Sequence, residues 1–466
     1  VNMMKTEWQG KRVLILGAAR QGTALAHYLS GCGAQIVISD QRSAEQLKGA
    51  RTALAAHNLT GIEWACGGHP LELLDHTDLV CPSGGVPLTL PIIQEAIRRG
   101  IPLSNDSQIF LDAAPCKVIG LTGSAGKTTT TTLVARMAQL AVSAPRHAWV
   151  GGNIGNPLVS ILDQLSADDL VVMELSSFQL EIMSTSPTVT AVLNITPNHL
   201  DRHGDMAAYT AAKAHILTHQ TPNPDGAVVL GCENPAAWNL RHQASNTVWT
   251  FGLNPVPGHP GTFLRDAKLW LHTDLDVEIM PVSAIKLRGD HNVLNVLAAC
   301  AIAAAAGLPV SVMRAAVEDF YGVAHRLEFV RRWGGADWYN DSIATAPERT
   351  MAAIRSFTEP IILLVGGRDK NLPWSDLARL VHERVDHLII FGEAREIIDQ
   401  AVGETPTNTR PYTCAVYVGL NAAVEAAAQL ASEGDVVLLS PGGTSFDEFR
   451  DFEERGEAFR KWVMDL

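Results

Sequence analysis

Lys117-Val-Ile-Gly120-Leu-Thr122-Gly123-Ser124-Ala-Gly126-Lys127-Thr128-Thr129 is the stretch on which the reading of this chain turns. Its opening residues form an apolar run of the kind that fills a buried parallel strand. Closely spaced glycines follow, then Lys and Thr, and then a helical pattern. A strand, a glycine-rich loop and a helix in that order turn several backbone N–H groups towards one point. They add the positive end of a helix dipole. The lysine supplies a point charge for terminal phosphates, and the threonine hydroxyl suits Mg²⁺. The spacing departs from GxxxxGK[ST], because residue 121 is Leu and the first loop glycine is Gly123. A plain tight turn is the competing reading. The flanking strand and helix favour a nucleoside triphosphate site at Gly123, Ser124, Gly126, Lys127, Thr128 and Thr129.

Such a site needs a carboxylate at the end of a neighbouring strand. Leu170-Val-Val-Met-Glu174 supplies one, since its apolar run stops abruptly at an acid. Further on, Asn194-Ile-Thr-Pro-Asn198-His199-Leu-Asp-Arg202-His203 places two histidines four apart. The zinc-protease pattern HExxH would require Glu at 200, where this chain has Leu. Beside a magnesium-dependent site, His199 reads as a second-metal or substrate ligand.

Working outward, the whole chain alternates between strand-like and helical patterns. Apolar runs at 12–17 and 36–40 with a helical stretch at 22–29 between them form a βαβ unit, and another strand-like run follows at 79–81. Its turn, Gly17-Ala-Ala-Arg-Gln-Gly22 with Asp40 beyond, resembles a dinucleotide fingerprint lacking the middle glycine, which makes NAD the weaker alternative. Strands are expected at 117–122, 170–174 and 189–194, and an alanine-rich helix at 292–306. Residues 222–284, richer in Pro, Gly and Trp, read as an irregular, partly β insertion. Runs at 338–340, 361–365, 387–391 and 436–439 repeat the alternation. The pattern predicts three α/β domains, 1–111, 112–322 and 323–466. Ser445 and Glu448 form an S-x-x-E capping box that predicts a helix start, with Phe449 facing the core.

Bulk composition narrows the class. With 466 residues the chain is expected to hold roughly two to four domains. A net charge of −13 argues against a general nucleic-acid binder, so any phosphate site must be built locally. Seven scattered cysteines without a CxxC pair fit a reducing cytoplasm. The longest apolar stretch, 296–306, is too short to span a bilayer, and no secretory apolar region stands near residue 1. The expectation is a cytoplasmic enzyme without membrane insertion.

Taken together, Gly123-Ser-Ala-Gly126-Lys-Thr, Glu174-Leu-Ser-Ser-Phe-Gln-Leu-Glu181, Asn198-His199-Leu-Asp-Arg202, Asp290-His-Asn292-Val-Leu-Asn295 and His325-Arg326 resemble, in order and spacing, the Mur ligases. The likeness covers essentially the whole chain. It implies a Rossmann-like N-terminal domain for a uridine nucleotide, a central P-loop ATPase α/β domain and a Rossmann-like C-terminal domain for an amino acid. The implied activity is ATP-dependent carboxylate–amine ligation in peptidoglycan precursor synthesis. ATP would phosphorylate the L-alanyl carboxylate of UDP-N-acetylmuramoyl-L-alanine, and the amine of glutamate would displace the phosphate. The motif 174–181 is similar to that of the D-glutamate-adding branch.

By the same resemblance, Lys127, Glu174, His199 and a carbamylated Lys213 are catalytic, with Thr128, Glu174, His199 and Lys213 around two Mg²⁺ ions. Asn292, Asn295, Arg326 and Asp341 would hold ATP. Gly17, Asp40, Arg42, Ser83 and Asn153 would hold the uridine-linked substrate. Thr345, Lys370, Ser445, Phe446 and Phe452 would hold glutamate, and the chain would act as a monomer. Two departures stand out. Gly84 replaces a usual Pro, and Asp341-Ser-Ile343-Ala-Thr-Ala-Pro347 lacks the lysine that many members carry at 343. The latter keeps L-glutamate as an alternative substrate. A catalytically silent nucleotide-binding homologue is the alternative of another class, while folate polyglutamate synthesis shares only the ATPase core.

Overall fold

The computed structural model describes residues 7–56, 59, 61–405 and 413–466. The chain separates into two units, residues 1–285 with 290–319 and residues 286–289 with 320–466.

The first unit contains two sheets. The N-terminal one is parallel and ordered β3-β2-β1-β4, with β1 Arg12–Leu16, β2 Gln35–Asp40, β3 Glu63–Cys66 and β4 Leu79–Pro82. Residues Val13 to Leu16 are fully buried, as a strand covered on both faces requires. Because β1 lies between β2 and β4, the chain crosses over in opposite directions from it. A crevice therefore opens at the carboxyl ends of β1 and β4, where Gly17 and Ser83 lie. The half-exposed β3, absent from the sequence reading, forms the edge of this sheet.

The second sheet has nine strands in the order β13-β12-β11-β10-β9-β8-β5-β7-β6. Its parallel centre comprises β5 Lys117–Thr122, β6 Ala148–Gly152, β7 Leu170–Glu174 and β8 Val189–Val192. The insertion expected to be irregular and partly β does contain strands, and these are joined to the central sheet. Strands β9 Ala227–Gly231, β10 Thr247–Phe251, β11 Gly261–Arg265, β12 Lys268–His272 and β13 Asp276–Pro281 extend the sheet, with β12 antiparallel to both β11 and β13. Pro and Gly sit in the connecting turns, where they belong physically. Helix Asp290–Ala305 is buried along most of its length and packs on helix Lys127–Ala141. That contact brings the 290–295 motif to the phosphate loop.

Helix Asp106–Ala113 ties the N-terminal sheet to the central one. Asn105 Nδ2 donates to the Gln179 carbonyl (2.8 Å), and Gln179 Nε2 donates to Ser107 Oγ (2.8 Å). Gln179 also completes a capping box with Ser176 at the short helix Ser177–Leu180.

The second unit holds a six-stranded sheet, β14-β15-β19-β16-β17-β18. Its strands are β14 Glu328–Trp333, β15 Ala336–Asn340, β16 Ile361–Gly366, β17 His387–Phe391, β18 Thr413–Val416 and β19 Val436–Gly442, parallel apart from β14. The edge strands β14 and β18, neither a continuous apolar run, were not expected from sequence. The Ser445 capping box is overturned. Residues 445–449 make a single turn, Phe449 N to Ser445 O at 2.8 Å, and the helix starts at Phe452 with Asp451 Oδ1 accepting from Glu454 N (2.8 Å). Glu448 instead accepts from Leu420 N (3.3 Å) at the start of helix Leu420–Leu430, so its carboxylate serves a different dipole. Phe449 does pack into the core, against Trp462. Among the described residues no helix is long and apolar enough to cross a membrane.

Candidate active site

The phosphate loop is braced from below. Asn194, at the end of β8, accepts through Oδ1 from Ser124 N (3.1 Å) and Ala125 N (2.9 Å), and returns Nδ2 to Ala125 O (3.1 Å). Gly126 caps helix Lys127–Ala141 at φ +80°, and a Cβ there would lie 2.2 Å from Asn295 Oδ1. Left-handed backbone and close approach both demand glycine. Asn295 is thus a floor for the loop, and its Nδ2 donates to Asn292 Oδ1 (2.9 Å). Lys127, Thr128 and Thr129 form the first helical turn, whose N–H groups have no intrahelical acceptor. Lys127 Nζ donates to the Gly123 carbonyl (3.0 Å).

Parallel pairing sets Glu174 opposite Leu121, beside the loop. The Glu174 side chain is buried. Its Oε1 accepts from Asn153 Nδ2 (2.8 Å), and its Oε2, also buried, has no hydrogen-bond partner among the described residues. A buried carboxylate oxygen without a donor is costly. A divalent cation is the group that would offset that cost. Lys213 reaches the same place from helix Met206–Thr218, with Nζ donating to Thr122 Oγ1 (3.2 Å) and Gly123 O (3.0 Å). Burial pushes its pKa down to about 7; the Lys127 charge adds to the fall and Glu174 opposes it. Among the described residues no group of three or more His, Cys, Asp or Glu is arranged to hold a metal ion by itself.

His199 precedes the short helix Leu200–His203 in a left-handed conformation, φ +54°. Its ring and that of His203 both lie against Phe178, at 5.0 and 5.3 Å between centroids.

In the N-terminal crevice, Asp40 accepts from Ala18 N (2.8 Å) and from Arg42 N (2.9 Å), Nε (3.0 Å) and Nη2 (2.8 Å). Hydrogen bonding from the guanidinium holds this carboxyl well below the usual range. Four donors fill its acceptor capacity, leaving nothing for the ribose diol of a dinucleotide, which weakens the NAD reading. Gly22 is required because a Cβ there would meet Gly17 O at 2.0 Å. Ser83 Oγ donates to Gly17 O (3.2 Å), closing the loop over the turn. Asn153, expected at the precursor, is bonded to Glu174.

In the second unit, β15, β19 and β16 are neighbours, and the loops after them carry Thr345, Ser445 and Lys370. Lys370 Nζ donates to Thr345 Oγ1 (3.4 Å). Its pKa is lowered by burial and then by the charges of Arg349 and Arg455. Arg349 and Arg455 both act on Lys370 electrostatically, while Asp341, Asp447 and Glu448 act on Arg455 in the opposite sense. Sequence reasoning missed both arginines. Arg455 is fully buried, its Nε on Ser342 Oγ (3.0 Å), Nη2 on Ser342 O (2.8 Å) and Nη1 on Gly443 O (3.1 Å). Phe452 lies edge-on to His325, while Phe446 is 58% exposed. Asp341 is buried, accepting from Ser440 Oγ (2.8 Å) and Leu327 N (3.2 Å), and burial pushes its pKa up to about 7. It braces the turn carrying the exposed Arg326, which stands between the left-handed His325 and Leu327.

Fold and site together define a three-domain α/β enzyme with a phosphate loop beside a buried acid and a buried lysine. Family models match along the chain: the Mur ligase MurD-like N-terminal domain over 11–105, the Mur ligase middle domain over 121–303 and the Mur ligase glutamate ligase domain over 325–443. The chain belongs to the Mur ligase family. It is 39% identical over 461 residues to a Symbiobacterium thermophilum protein named UDP-N-acetylmuramoylalanine--D-glutamate ligase, covering 98% of each. A protein of the same name from Acidobacterium capsulatum is 39% identical over 466 residues, covering 98% of this chain and 97% of its own. Among solved structures, MurF from Acinetobacter baumannii is similar with a TM-score of 0.57 at 20% identity, covering 100% of this chain and 98% of that one. MurC from Thermotoga maritima gives 0.54 at 19%, covering 98% and 99%. These two likenesses concern the fold.

Proposed function

We propose that this chain joins D-glutamate to UDP-N-acetylmuramoyl-L-alanine, driven by ATP, in peptidoglycan precursor synthesis in the cytoplasm. The observation that carries the reading is the buried Glu174 oxygen, without a donor among the described residues, beside a phosphate loop whose Gly123 carbonyl is held by two lysines. The names of the full-length relatives supply the substrates.

A carboxylate resists attack by an amine, so a phosphate must first be installed as a leaving group. Moving a phosphoryl group onto an anion calls for positioning and charge cancellation more than covalent help. Lys127 and the first-turn N–H groups would seat the terminal phosphates. Thr128 and Glu174 would hold one Mg²⁺, and His199 with a carbamylated Lys213 a second, to neutralise the transferred charge. A neutral Lys213 amine can add to CO₂: the N–C bond forms, a proton leaves, and an anionic ligand replaces a cation that Lys127 repels. The acyl phosphate would then accept the glutamate nitrogen at its carbonyl carbon; the nitrogen loses a proton, and phosphate departs with the electron pair of the broken C–O bond.

Arg42 and Ser83, with Gly17 and Asp40 shaping the turn, would hold the uridine diphosphate, and Asn153 would line the muramoyl end. Asn292 and Asn295 would hold the nucleoside, and Arg326 and Asp341 would also serve ATP. Thr345, Lys370, Ser445, Phe446 and Phe452 would receive glutamate, with domain limits at 111 and 322 and a monomer as the working form. Ile343, in place of a lysine, keeps L-glutamate as the second reading.

Phosphate release with the precursor and either D- or L-glutamate, run in parallel, tests the proposal. Turnover with the D enantiomer alone is expected. A preference for L overturns the substrate, and ATP binding without precursor-dependent turnover overturns the activity.

A further inference from the structure

One residue of the 198–203 motif has no part in the chemistry above. Arg202 donates from Nη1 to Gly85 O (3.3 Å) and from Nη2 to Val86 O (3.2 Å). Both carbonyls belong to the loop whose Ser83 closes over Gly17. The guanidinium carbon of Arg202 also lies 4.3 Å from the Phe178 ring centre. Phe178 in turn touches the His199 imidazole at 5.0 Å and stacks on His203 at 5.3 Å, with 7° between planes. His203 is fixed by Ser177 Oγ (3.0 Å) and packs on Tyr209, whose hydroxyl lies 3.0 Å from Ser124 Oγ in the phosphate loop.

We propose that Arg202 is a positioning residue that clamps the precursor loop onto the Phe178 ring orienting His199. Binding of the uridine diphosphate end and binding of the divalent metal then strengthen one another. The inference rests on the roles assigned above to the first-domain crevice and to His199. Its physical basis is shared order. The two Arg202 bonds, at 3.2 and 3.3 Å, lie at and just beyond the long end of the usual range, so they have room to tighten. A ligand that fixes residues 82–87 fixes both carbonyls, hence the guanidinium plane, the Phe178 rotamer and the face His199 presents. Restricting a side chain once removes that entropy cost for the second ligand, and the coupling must be reciprocal. The left-handed backbone of His199, whose carbonyl accepts from both Arg202 N and His203 N (3.0 Å each), keeps these side chains in register. Lysine could supply the charge, but not a planar fork that stacks on a ring while meeting two carbonyls.

The test uses the full chain with Mn²⁺ as a paramagnetic probe and a non-hydrolysable ATP analogue. Mn²⁺ affinity is read by electron paramagnetic resonance, with and without UDP-N-acetylmuramoyl-L-alanine. In the wild type the precursor is expected to tighten Mn²⁺ by roughly 5- to 150-fold, the usual span of coupling between sites. In Arg202→Met and Arg202→Lys that ratio should fall to within about twofold of unity. Circular dichroism checks folding, and Phe178→Leu carries the same readout if the Arg202 variants fold poorly. A wild-type ratio of unity, or an unchanged ratio in the variants, overturns the inference and leaves the ligase reading standing. Failure of the wild type to bind the precursor overturns both.

Discussion

Lys127 and Lys213 direct their ammonium groups at the same acceptor, the Gly123 carbonyl, each at 3.0 Å. Two cations on one oxygen are tolerable only if one of them is readily neutral, and Lys213 is the buried one, with its pKa pushed down to about 7.

Carbamylation of Lys213 follows as a pH-dependent event. Its amine is neutral above about pH 7 and protonated below, so the reactive form is lost as pH falls through that value. With ¹³C-bicarbonate at pH 8, a carbamate resonance is expected that fades towards pH 6 and is absent in Lys213→Ala. A short-chain carboxylic acid should restore part of the activity of that variant. No resonance and no rescue would rule the modification out.

Glu174→Gln keeps the shape and the bond from Asn153 while removing the charge. Precursor-dependent phosphate release should fall by on the order of 100-fold or more, the scale of losing one electrostatic contact in a preorganised site. The unfolding midpoint without metal should not fall, since a buried charge is removed. A clear loss of midpoint with retained turnover would show that Glu174 is structural.

Gly126→Ala meets two obstacles, a left-handed backbone worth about 1–2 kcal/mol and the Asn295 amide. ATP affinity, measured by calorimetry, should collapse. Adding Asn295→Ala should recover stability in part, because it relieves the collision but not the φ angle. Full recovery would mean that the φ constraint is immaterial.

Asp341 gives a stability signature of defined sign. Its folded pKa is raised to about 7 from an ordinary 3.8, so its favourable contribution is full below about 3.8 and is lost as pH rises through about 7. Asp341→Asn should therefore compare better with wild type at pH 8 than at pH 5. Midpoints measured at both values decide it; an equal difference at the two would place the carboxylate in a solvated setting.

What could be read in the sequence was what is local. The strand into Gly123, the lysine at 127 and the acid ending β7 are each declared by a few neighbouring residues. Edge strands β3, β14 and β18 were not legible, because they lack a continuous buried run. The stretch 222–284 looked irregular since its Pro and Gly content marks turns, while the strands between them are short. Capping boxes show the limit well. Ser445 and Glu448 have the right spacing, yet Glu448 is drawn to Leu420, whereas Ser176 and Gln179 make the real box. Asn194 beneath Ser124, and Arg455 beneath Ser342, act across long sequence separations that no local pattern encodes.

Asp40 stands where an acid would ordinarily select a cofactor, and here its lone pairs are consumed at home. The crevice therefore discriminates by refusal: a dinucleotide would find no handle there for its sugar. Redesigning this pocket for a redox carrier would have to begin by evicting Arg42, since only then does the acid regain anything to offer.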